Sequence, residues 1–138
     1  MLNSSGANDI YNNISYGPTF WHITCYESHT TNIDYNLYYP NDGLYFRNYG
    51  VENLNFSDWK TTIGEDANSP TPADPLFINA GTNNFRLQKT SPAIDAGVDV
   101  SLTQDKDGYP VPYGTLPDIG AYEWHPGGFG KLLLLGVQ

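Results

Sequence analysis

The sequence predicts an all-β chain whose short strands stack as a solenoid, and three observations predict it. The first is composition. Among 138 residues there are 11 Tyr, 14 Gly and 10 Pro, while Glu, Lys, Arg, Ala and Met are scarce, a mixture that favours strands and tight turns over helix. The second is a series of short runs rich in β-branched and aromatic residues: Asp9-Ile10-Tyr11, Asn13-Ile14-Ser15-Tyr16, Trp21-His22-Ile23-Thr24-Cys25-Tyr26, Asn32-Ile33-Asp34-Tyr35 and Leu37-Tyr38-Tyr39. Asn, Gly, Pro and Ser break them into strand lengths. The third is an internal echo. Tyr11-Asn12-Asn13-Ile14-Ser15-Tyr16 matches Asp34-Tyr35-Asn36-Leu37-Tyr38-Tyr39, and aligning Asn13 with Asn36 gives an offset of 23 residues. Periods of that size belong to solenoids, in which each repeat is one coil laid on the next.

Taken in order, residues 8–56 are expected to form the stacked coils, two to three in all, with Asn side chains laddering at the turns. Residues 57–69 should hold a short helix and a turn. Phe56, Trp59 and Ile63 fall on one apolar face, Ser57 or Asp58 is placed to cap the start, and Gly64 to end it. Residues 70–126 carry Pro92, Pro110, Pro112, Pro117 and Pro126, which leave no room for a long regular element. This stretch should be extended chain capping something already folded. Residues 127–138 form a tail whose apolar run, residues 132–135, is far too short to span a bilayer.

Charge excludes some functions. The formal net charge is −9 and the first basic side chain is Arg47. A nucleic-acid binder needs a basic footprint for phosphates, so nucleic acid is not an expected partner, and attraction to an anionic membrane surface fails on the same ground. Cys25 is the one cysteine, so no intrachain disulfide forms. Met1-Leu2-Asn3 offers neither a charged nor an apolar leader region.

The second half carries an ordered set of motifs. Trp59 is followed by Gly64-Glu65-Asp66-Ala67-Asn68-Ser69, then Asp74-Pro75-Leu76-Phe77-Ile78-Asn79, then Asn84-Phe85-Arg86-Leu87-Gln88. Ser91-Pro92-Ala93-Ile94-Asp95-Ala96-Gly97 comes next, then Asp105-Lys106-Asp107-Gly108 and Asp118-Ile119-Gly120-Ala121-Tyr122-Glu123. This series resembles the C-terminal region of bacterial right-handed parallel β-helix repeat proteins, of the pectin-lyase-like superfamily. The resemblance implies a right-handed parallel β-helix fragment with an irregular capping segment, from an extracellular or cell-surface protein. It implies carbohydrate activity in the parent and a polysaccharide or glycan as partner. An upstream signal peptide would lie outside this chain. One fold hosts many activities, so a polysaccharide lyase-like enzyme and a non-enzymatic cell-surface module both remain open.

The candidate chemistry is sparse. β-Elimination of a uronate needs a base beside a strong positive charge, and the first 46 residues contain no Lys or Arg. His22, Glu27 and His29 are the acid–base candidates of the first stretch. Asp105 and Asp107, with Asp118, suggest a calcium site, although Leu116 stands where an EF-hand loop needs Glu. A turn held by aspartate side chains is the plainer reading. Asp95 is expected to hold a turn, Gly97 to supply a positive φ, and Glu123 to pair where the chain lies back on the coils. Tyr16, Trp21, Tyr35, Tyr38 and Tyr39 are the candidate sugar contacts, since exposed aromatic rings make platforms for sugar faces; burial against an upstream coil or another subunit is the equal alternative. The open end of the coils is an expected surface for self-association.

Overall fold

The computed structural model describes residues 8–25, 31–40, 43, 46–48 and 51–127. Nine short strands, one α-helix and one 3-10 turn (Ala80–Thr82) make up the regular structure of the described residues, so the chain is all-β with little helix. In the first part, β1 (Asn8–Tyr11), β2 (Ile14–Tyr16) and β3 (Ile23–Cys25) are each followed later by a parallel partner. These partners are β4 (Thr31–Asp34), β5 (Leu37–Tyr39) and β6 (Phe46–Asn48). Ile10 lies opposite Ile33, Ile14 opposite Leu37 and Ile23 opposite Phe46, an offset of 23 residues in every pair. The echo in the sequence is therefore a register.

The turn between the paired strands repeats as well. Asn12 and Tyr35 both take left-handed backbone, with φ of 57° and 55°, and Asn12 N–H donates to the Tyr35 carbonyl at 3.0 Å. Asn36 accepts from the Asn13 N–H and donates to the Ile10 and Asp34 carbonyls. Tyr16 stacks on Tyr39 with centroids 5.6 Å apart. Side chains one register apart thus cover each other, as ladders in a parallel sheet do.

The sheet side beyond β4 is closed by side chains and a loop. After β7 (Val51–Leu54), antiparallel to β6, helix α1 (Phe56–Ile63) begins. Its N-cap is Asn55, whose side chain accepts from Asp58 N–H, in place of the expected Ser57 or Asp58. Asp58 instead receives a hydrogen bond from the Asn55 amide. Gly64 ends the helix in left-handed conformation, φ 83°, as expected. The chain then runs beside β4: Ile33 N–H donates to Glu65, Asp66 N–H to the Ile33 carbonyl, and Asn36 N–H to Ser69.

Two apolar clusters lie on opposite faces of the strands. Adjacent residues of a strand point to opposite sides, so Tyr38 enters a cluster with Cys25, Ile33, Phe46 and Trp59, while Leu37 enters another with Leu87, Ala93 and Ile119. The second cluster belongs to the C-terminal part, where β8 (Phe77–Asn79) and β9 (Asn84–Leu87) form an antiparallel hairpin. Sequence reading left that hairpin as extended chain. The rest of residues 88–127 is irregular, joined by one isolated bridge between Gln104 and Pro110. No described helix is long and apolar enough to cross a membrane.

Candidate functional site

The polar residues of the C-terminal motifs meet one another. Arg86 of β9 pairs with Asp107 at 2.7 Å and lies over the Tyr122 ring, 4.9 Å from its centroid. Ser91 donates to the Pro75 carbonyl. Asp95 Oδ1 accepts from Thr115 and Leu116 N–H, and Asp95 N–H donates to Asp118. Glu123 accepts from Tyr113 and Asp118 N–H. One motif after another is tied down by a carboxylate receiving backbone N–H groups, the arrangement that satisfies amides where no sheet ladder exists.

The three aspartates of the calcium expectation each have other partners here. Asp105 Oδ1 accepts from Asp107 and Tyr109 N–H, and its Oδ2 from Glu123 N–H. Asp107 is held by Arg86. Asp118 accepts from Asp95 and Trp124 N–H. Each of the three carboxylates thus holds backbone or a guanidinium, as the plainer reading of an aspartate-held turn expects. Among the described residues no group of three or more His, Cys, Asp or Glu side chains is arranged to hold a metal. Burial raises the Asp118 carboxyl to about 6; the two amides oppose the shift and the charges of Glu123 and Asp95 add to it. The glycine expectation changes too. Asp95 itself is left-handed, with φ 53°, and Gly97 matters for space: a Cβ there would lie 2.8 Å from the Pro117 carbonyl and 2.9 Å from Asn12 Oδ1.

His22 does not point outward. Its Nε2 sits 3.0 Å from the Pro40 carbonyl and its Nδ1 2.8 Å from Ser15 Oγ. A carbonyl can only accept, so Nε2 carries the proton and Nδ1 accepts from the Ser15 hydroxyl. The ring packs on Tyr38 and Phe46, and burial lowers its pKa against the raising effect of the Pro40 carbonyl. It is a histidine holding a turn, and it is not among the described residues that line the acidic cleft at Tyr35 or the larger cleft between the first strands and the C-terminal segment. Glu27 and His29 lie outside the described residues.

The aromatic candidates separate into three places. Tyr38 is a correction: it is 1% exposed and donates to Asp66, at 3.1 Å and 3.0 Å from the two carboxylate oxygens, so its ring offers no face to a sugar. Tyr35 stands with Tyr11 at an acidic cleft lined by Asp9, Asp34 and Asp99. Tyr16, 46% exposed, joins Tyr39 and Phe77 in one aromatic group. Trp21 stacks on Phe20 with centroids 5.8 Å apart, and the Arg47 guanidinium lies 4.9 Å from the Trp21 ring centroid.

The sequence matches no family model, no curated protein and no solved structure.

Phe20 was missed at the sequence level and is the most open of these rings, 70% exposed. Its signal was available: it stands beside Trp21 after Gly17-Pro18-Thr19, a turn that cannot bury two adjacent large rings. A second cleft, about 990 Å³, runs between the first strands and the C-terminal segment.

Proposed function

We propose that this chain is the closing end of a right-handed parallel β-helix of the pectin-lyase-like kind, in an exported or cell-surface protein. It contacts neutral glycan and does not itself catalyse. Support for the solenoid comes from the constant 23-residue register of three parallel strand pairs, together with a C-terminal segment whose motif residues are spent on holding chain against chain. Glycan contact is carried by one observation: Phe20, 70% exposed, stacks on a half-buried Trp21 with the Arg47 cation close to the Trp21 ring. Such a surface presents an apolar face for sugar C–H groups and a donor beside it.

Neutral glycans fit better than polyuronates. A net charge of −9 repels an anionic polymer, and the first 46 residues contain no Lys or Arg to stabilise the intermediate of β-elimination. Glycan-array binding with and without Ca²⁺ tests the reading. Binding to neutral glycans that falls at least about tenfold in Trp21→Ala and Phe20→Ala is expected. Release of unsaturated product from polygalacturonate or alginate, followed by its ultraviolet absorbance, would replace this reading with a lyase.

A further inference from the structure

We draw no further inference here: the strongest candidate, the apolar cleft of about 990 Å³ between the first strands and the C-terminal segment, carries none, because nothing in the structure shows what covers it.

Discussion

Asp66 is the residue on which the first core is hung. Its carboxylate, fully buried, receives Trp59 Nε1–H at 2.8 Å, the Tyr38 hydroxyl, Ser69 Oγ–H at 2.6 Å and the Asn36 amide. Those donors come from β5, from its preceding turn, from α1 and from the loop after it. Asp66→Ala would leave all of them without their acceptor inside the protein, and unsatisfied buried donors cost about 1–3 kcal/mol each. A loss of at least ~3 kcal/mol in urea denaturation is expected. In the sequence Asp66 was legible only as one letter of a motif, because a buried acceptor and an exposed turn aspartate look alike until their donors are placed. Asp118 gives a pH signature. Its folded pKa is about 6, above the ordinary aspartate value of about 3.9. The stability it confers is full below about pH 4 and is lost as pH rises through 6, by roughly 2–3 kcal/mol. Burial lowers the His22 pKa, so that residue acts in the opposite sense and weakens the fold as pH falls. The informative quantity is therefore the difference between the native chain and Asp118→Asn. Urea midpoints from pH 4 to 7 should show a shallower decline in the variant, even though it starts less stable.

At the scale of elements, α1 shows how a local signal can be read one turn late. Ser57 and Asp58 are good capping residues, yet Asn55 already stands before the first helical residue and accepts the Asp58 N–H at 2.9 Å. Phe56, Trp59 and Ile63 do share one face, and that face meets Tyr38 and Phe46, so the helix and its buried side were legible from spacing alone. Asn55→Ala should cost about 1 kcal/mol in thermal or chemical unfolding, whereas Ser57→Ala should be close to neutral. The β8–β9 hairpin was not legible. Its Phe77-Ile78-Asn79 and Asn84-Phe85-Arg86-Leu87 runs are short, and the turn between them, with Asn83 left-handed at φ 59°, carries no Asn-Gly or Asp-Gly signal. Tertiary cover decides it: Phe77 and Leu87 pack in the cluster around Leu37.

For the whole molecule, the governing fact is one repeat length. The 23-residue offset visible between Asn13 and Asn36 sets the register of all three parallel pairs, and it was legible because turns and strands repeat together. What the repeat could not reveal was the far-reaching part. Asn12 donates to the Val98 carbonyl and accepts the Val98 N–H across 86 residues, and Gly120 N–H reaches the Asn12 carbonyl. Such contacts depend on where an irregular segment returns, which no local pattern encodes. The same segment seats Ile119 over Leu37 and leaves the β1–β2 edge beside a cleft, so register, cover and cleft stand or fall together. Nitroxide labels on Asp9 and Asn32 test the register most directly, since both are exposed and lie directly opposite each other in β1 and β4. Neighbouring strands are about 4.8 Å apart, so the frozen electron paramagnetic resonance spectrum of the double-labelled chain should be strongly broadened relative to the sum of its two single-labelled forms. A double-labelled spectrum equal to that sum would contradict the 23-residue stacking and everything built on it.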